Sequence, residues 1–387
     1  MFKETTLACL FDVGSLIAGF MIALQLGIFE FSSWAIALYP AVFSVKSVIS
    51  GLLTGRLSTA LHLGTIYPRF TNNTKTFHQL MGAMVVLTLA TSVTISIISI
   101  VFGTLFWGIT FADFTAILTV MLATLSLGLI VALITVGFTF FSFKRSLDPD
   151  TIVYPVVSTL ANIVITFLYI GVLNVYFSSN WQWVIILFGL VNVFLVLCIL
   201  PFNIKNKEFR QILRESLPTM LLVAFTVNIT GTLLKGVSNL AGGNRGIYTL
   251  YPPIIDIIGD AGLIVGSAAT VKLTFGVLTP NLGSIKGHAR NIISAWASTL
   301  VLFVVVGLLS LAVNGLFSFS GLVSLIPVLV ISNIIAFSAT AVFYYSIAIL
   351  TFTRGLDPDN FVLPVGNCVA EALTTMALFV TLLLLVH

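Results

Sequence analysis

Asp256, Asp260 and Glu371 are carboxylates set in strongly apolar surroundings, the first two within PPIIDIIGDAG at 252–262 and the third in the last apolar run of the chain. An acid at mid-bilayer costs about 2.5 to 3.5 kcal/mol on insertion scales, so each needs a compensating cation or a wet cavity. The chemistry this suggests is cation binding by oxygen donors, with Asp256 equally readable as a solvated residue at the mouth of a path. Pro40 and Pro252 sit near the outer starts of their own helices, the second and the eighth spans, and Gly259 and Gly262 flank Asp260 in the eighth. Proline and paired glycines free backbone carbonyls and permit a helix break or close packing, which a membrane tolerates only where protein or water satisfies those groups. Lys46, six residues after Pro40, is the one basic residue expected deep in a helix. It is read as neutralising Asp256 or Asp260, or as reaching a lipid headgroup. Asp12 and Glu30 are weaker candidates, the former an interior hydrogen-bonding residue and the latter a solvated helix end.

A second acidic group occupies two Leu-Asp-Pro-Asp sequences, which hold Asp148, Asp150, Asp357 and Asp359 and are each followed by a further proline, Pro155 or Pro364. The ordinary role of such a sequence is to cap a helix, with aspartate accepting orphan amide hydrogens and proline pre-setting the first turn. Four carboxylates brought together would also form a cytoplasmic mouth that concentrates cations and repels anions.

The elements that must carry these residues follow from composition. Of 387 residues, 58% are hydrophobic and 8% charged, against roughly a quarter charged in soluble domains. Apolar stretches of about 20 residues recur along the whole chain, which excludes a lone removable signal. They divide into about eleven spans, near 6–29, 34–61, 78–108, 114–142, 152–177, 182–203, 212–238, 248–276, 290–315, 321–351 and 361–385. The fold class is therefore an all-α polytopic bundle. With the N-terminus in the cytoplasm, fourteen basic residues fall on inside connections or helix ends and only Lys235 and Arg245 outside. That asymmetry places the N-terminus inside and, the span number being odd, the C-terminus outside. Trp181 and Trp183 open the sixth span as headgroup-level rings would. The net charge of +4 comes from scattered single residues, so topology accounts for it and no nucleic-acid partner is expected.

The chain is written twice. FKRSLDPDTIVYPVVSTLAN at 143–162 returns as FTRGLDPDNFVLPVGNCVAE at 352–371, an offset of 209, and Tyr39-Pro40 returns as Tyr251-Pro252, an offset of 212. The expected organisation is a five-helix repeat over 1–178, a connecting transmembrane helix over 179–205 and a second five-helix repeat over 206–387. Five spans alone would invert the second copy, and the connecting span restores it. The repeats are then parallel, related by an axis along the membrane normal, with a permeation path expected where they meet.

These residues resemble the MgtE-type magnesium transporters and their duplicated relatives among the solute-carrier divalent-cation transporters. Segment 40–64, PAVFSVKSVISGLLTGRLSTALHLG, resembles the first-repeat signature of the duplicated relatives, with Lys46, Arg56 to Ala60 and Gly64 at the family spacing. PPIIDIIGDAG resembles the proline and Gly-Asn-x-Gly helix, and 357–364 meets the Asp-Pro-Asp-Asn-x-x-x-Pro element fully, whereas 148–155 carries Thr151 for the asparagine. The resemblance implies a hydrated magnesium ion held by an aspartate seven residues past the second proline of each repeat; here those positions are Asn162 and Glu371. The family asparagine beside that ion is replaced by Val48 in the first repeat and Asp260 in the second. The implied site keeps about two negative charges, nearly all on one half, and hard cations with oxygen ligation fit it, Mg2+ leading and Mn2+ or Ca2+ behind.

The expected function is divalent-cation transport across the cell membrane by a path between spans two, five, eight and eleven. The protein would work as a monomer because the two repeats mimic a dimer, with the lipid bilayer as its other partner. Exchange against Na+ or H+, and a non-transporting scaffold with a degenerate site, stay open. No enzyme is expected, since the sequence offers no nucleophile or catalytic-metal constellation. Cys9, Cys198 and Cys368 read as small core residues without a disulfide, and His62, His78, His288 and His387 as loop or interfacial residues.

Overall fold

The computed structural model describes residues 1–145, 154–178, 182–354 and 358–386; at 30, 154–156, 358–364 and 386 it describes the backbone alone. Among the described residues eleven helices are long and apolar enough to cross a bilayer. They are α1 Phe2–Leu24, α2 Ser33–His62, α3 Lys75–Trp107, α4 Phe111–Lys144, α5 Tyr154–Phe177, α6 Gln182–Asn203, α7 Lys207–Ala241, α8 Arg245–Thr274, α9 Leu282–Val313, α10 Phe319–Arg354 and α11 Pro358–Val386. The chain is an all-helical multi-pass membrane protein, as its composition requires. In a bilayer every backbone amide and carbonyl must be bonded within the protein, and a helix does this within each span.

Several helices are interrupted. A 3-10 turn at Phe11–Ser15 divides α1 into Phe2–Cys9 and Leu16–Leu24. α2 pauses at Leu38, so that Pro40 enters the first turn of its long segment Tyr39–His62, where its missing amide costs nothing. α4 is jointed at Gly128. By contrast α8 runs unbroken from Arg245 to Thr274 with Pro252 and Pro253 inside it. The break permitted by Pro252, Gly259 and Gly262 is not taken, and the glycines serve close packing instead.

The contacts define two compact units. One joins residues 1–26 to 233–387, and the other comprises 27–232. Against the five-helix repeats expected from the sequence, the first helices are exchanged: α1 groups with α8 to α11 and contacts α8 and α9, and most of α7 groups with α2 to α6. In the first of these units α8 lies against α1, α9, α10 and α11. In the second, α2 packs on α4 and α5, while α3, α4 and α6 contact one another.

The exchanged helices cross their partners in the same way. At Gly19 in α1 an added Cβ would fall inside contact distance of the Thr249 carbonyl oxygen of α8, and at Gly231 in α7 it would meet the Ala37 carbonyl oxygen of α2. Gly19 and Gly231, like Ala37 and Thr249, are 212 residues apart. Without a driving force from water, membrane helices associate through such close backbone approaches at small residues. The Thr249 carbonyl also loses the usual amide partner four residues on, which is Pro253.

Burial sorts the helices. The most apolar window of α2 is 83% buried, that of α6 only 17%. α6, expected from the sequence to connect the repeats, is thus the least enclosed of the spans, and Trp183 near its start is exposed; Trp181 lies outside the described residues. Cys198 is exposed on α6, contrary to the core position expected of it, while Cys9 and Cys368 are buried and unlinked. His288 also departs from expectation. It is fully buried, its Nε2 3.1 Å from the Val265 carbonyl oxygen and its ring stacked on Tyr345.

Candidate functional site

Of the acids named from the sequence, Asp12, Asp256, Asp260 and Glu371 lie in the unit formed by 1–26 and 233–387. The 3-10 turn of α1 carries Asp12, which is 1% exposed, and Ser15, whose hydroxyl donates to Asp256 Oδ2 at 2.8 Å. One turn earlier the Cys9 thiol approaches the Ile257 carbonyl oxygen at 3.8 Å and lies within electrostatic reach of Asp12, Asp256 and Asp260. The interruption of α1 thus brings its polar residues against the acidic face of α8. Asp256 and Asp260 are partly buried, one helical turn apart.

Glu371, 4% exposed, lies within α11. Thr375 donates to the Glu371 carbonyl oxygen at 2.7 Å and pairs at 2.9 Å with the hydroxyl of Tyr251, which fixes this turn of α11 against α8. A Cβ at Gly259 would stand 3.9 Å from Asn367 Oδ1 and 4.0 Å from Ala370 Cβ. Gly259 and Ala370, the residues just before Asp260 and Glu371, therefore face each other across the α8–α11 contact. Along the same face of α8 the ring of Tyr344 in α10 lies against Gly262 and Gly266, and against Gly366 of α11, while its hydroxyl donates to Asn367 Oδ1 at 3.0 Å. Gly262 is a packing site for Tyr344; any larger residue would displace the ring.

Among the described residues no group of three or more His, Cys, Asp or Glu side chains is placed so that it could hold a metal ion directly. The acids of α8 and α11 share one unit but do not form a bare ligand cage.

The first-repeat counterparts lie in the unit 27–232. Lys46 of α2 is 5% exposed, which removes a lipid headgroup as its partner. Its ammonium donates to Asn162 Oδ1 and, at 3.4 Å, to the Ser158 carbonyl oxygen, both on α5, and lies 4.8 Å from the centre of the Phe43 ring. Asn162 is itself fully buried. The Tyr251–Thr375 pair recurs here as Tyr39–Thr166 at 3.0 Å. Arg56, one of the basic residues expected at the cytoplasmic ends, pairs with Glu215 of α7 at 2.7 Å.

Asp148, Asp150 and Asp357 of the expected mouth lie outside the described residues, as do the side chains of Asp359, Pro155, Pro364 and Glu30. Sequence reading missed Ser15, Asn367 and Tyr344. For Tyr344 a signal existed: Gly262 and Gly266, four apart in α8, leave a groove that an aromatic ring from a neighbouring helix can fill.

A family model described as MgtE, divalent cation transporter, matches residues 39–172 and 251–381, more than half of the chain. The two matches begin at Tyr39 and Tyr251, the repeat-related tyrosines that pair with Thr166 and Thr375. No match is found among curated proteins or among solved structures.

Proposed function

The chain belongs to the MgtE family of divalent cation transporters, and on that premise we propose that it carries Mg2+ along a path lined by its two repeats. The observation that carries this reading is the buried Glu371 of α11, packed in one unit with Asp260 and Asp256 of α8. A carboxylate enclosed in a membrane helix is stabilised by a cation, and divalent transport supplies one.

Magnesium keeps several of its waters and takes one or two carboxylates. Acids that stand close without forming a direct cage suit an ion held through its hydration shell. We assign Glu371, Asp260 and Asp256 the charge that attracts the ion, and Asn162 the matching position in the first repeat. Asp148, Asp150, Asp357 and Asp359 are assigned to a cytoplasmic mouth that concentrates cations. The N-terminus is cytoplasmic and the C-terminus outside, at the cell membrane, and the two repeats let a monomer suffice. Mn2+ and Ca2+ compete less well than Mg2+.

The test is uptake into liposomes holding purified protein and a magnesium-sensitive dye. Glu371→Ala together with Asp260→Ala is expected to abolish the flux. Undiminished Mg2+ entry in that double variant, with the protein folded and inserted, overturns the assignment.

A further inference from the structure

The residue that repeats Glu371 in the first half is Asn162, and the residue that repeats Lys46 in the second half is Ile258. One half has an acid with an isoleucine at the lysine position; the other has an amide with a lysine. Lys46 reaches from α2 to α5, where Ser158 and Asn162 stand four residues apart and so on one face. Its ammonium meets the Asn162 amide oxygen, the Ser158 carbonyl oxygen and the face of Phe43. Two neutral oxygens and an aromatic face form a receptor for a compact monovalent cation of ammonium size. A hollow beside it, lined by Ser47, Ser50, Thr54, Val157 and Ala161 together with Lys46 and Ser158, adds hydroxyls and room around the charge. All of these residues lie within the unit 27–232.

We propose that the first repeat contains a monovalent-cation site occupied by the chain's own Lys46 ammonium, a tethered cation held by Asn162, Ser158 and Phe43. The tether fills the half-site permanently. Its consequence for transport rests on the Mg2+ reading given above: with one half filled from within, the mobile ion depends on the acids of the second repeat alone. The occupancy itself does not need that reading and is tested without any divalent ion.

The experiment measures thermal unfolding of the purified full-length protein in detergent, in ammonium chloride against N-methylglucamine chloride at equal ionic strength. Lys46→Met keeps the length and apolar stem of the side chain and removes the charge. This variant is expected to gain about 3 °C in ammonium over N-methylglucamine, because a ligand that binds only the folded state raises its stability. Wild type shows no such gain, and adding Asn162→Leu to Lys46→Met removes it. No ammonium-dependent rise in Lys46→Met overturns the proposal.

Should Lys46→Met fail to fold, Asn162→Asp in the otherwise unchanged chain gives the decision. A carboxylate facing the tethered ammonium raises the unfolding temperature above wild type, and an equal or lower value overturns the proposal. Neither result depends on flux, so the outcome is separable from that of the Glu371 and Asp260 variants.

Discussion

In the unit that holds α8 to α11, the ring of Tyr344 lies against Gly262, Gly266 and Gly366. In the other unit the repeat-related residues are Thr135, Ser50, Thr54 and Val157. Thr135 Oγ1 stands 3.4 Å from Ser50 Oγ, and Ser50, Thr54 and Val157 line a hollow with Lys46 where the first unit has an aromatic ring. The helix crossings around these places are nonetheless alike, Gly19 on Thr249 matching Gly231 on Ala37, and Tyr251–Thr375 matching Tyr39–Thr166. Duplication has kept the backbone approaches, which tolerate no added atom, and exchanged the side chains between them. One unit spends its interior on packing around an acidic face; the other spends it on a buried lysine and hydroxyls.

The largest effect expected from this contrast is at position 344. Tyr344→Ala removes a fully buried ring with three glycines against it, and such truncations cost about 3 to 5 kcal/mol. The repeat-related Thr135→Ala removes a hydroxyl that already bonds within its own helix, to the Val131 carbonyl oxygen at 2.8 Å, and is expected to cost about 1 kcal/mol. Equilibrium unfolding in detergent against denaturant measures both. Equal losses would break the comparison, because they would mean that the hollow in the second unit is as tightly filled as the Tyr344 contact.

What the units share is tested at the two exchanged helices. Gly19→Ala and Gly231→Ala each place a methyl group against a carbonyl oxygen, and overpacking of this kind costs about 1 to 3 kcal/mol. The two losses are expected to match within error, since the partners are repeat-related. Gly55→Ala in α2, where an added Cβ meets nothing within 4 Å, is the control. It is expected to be neutral or to stabilise the helix by about 0.5 to 1 kcal/mol. A loss confined to one of the first two would show that only one crossing carries load.

The span number, the duplication and the family were legible because each rests on local pattern: apolar length, breaker residues and repeated Leu-Asp-Pro-Asp. The exchange of first helices was not, since nothing in a stretch such as LIAGFMIAL says which helix will lie against Gly19; the partner is set by a carbonyl more than two hundred residues away. Asp260 and Glu371 were legible as acids in apolar runs, and the structure adds that they sit on two helices packed in one unit. Lys46 was legible as buried but not as the partner of Asn162, because the family position of Asn162 implies an ion from outside the chain, and the α2–α5 contact that brings the two together joins residues 116 apart in sequence. Pro252, Gly259 and Gly262 allow α8 either a break or close packing, and the helix, continuous from Arg245 to Thr274, takes the second. Neighbouring groups can satisfy the carbonyls that proline frees within a membrane helix, and the glycines admit Tyr344 and approach Asn367.

The smallest effect sharpens the comparison most. Tyr251→Phe and Tyr39→Phe each delete one hydroxyl that pairs with a threonine of the partner helix, and each is expected to cost about 0.5 to 1.5 kcal/mol in unfolding free energy. The two differ in what the threonine holds. Thr375 bonds the Glu371 carbonyl oxygen, so releasing it from Tyr251 loosens the turn of α11 that presents the acid. In the other unit the same loss acts on the turn that carries Asn162, and there Tyr169, in contact with the Tyr39 ring, ties α5 to α2 independently through the Ala35 carbonyl oxygen at 2.5 Å. Equal stability losses with reduced Mg2+ flux in Tyr251→Phe alone would place the ion's dependence on the second repeat. Equal flux losses in both variants would show that both halves present ligands to the moving ion, and would count against Lys46 as a permanent occupant of the first.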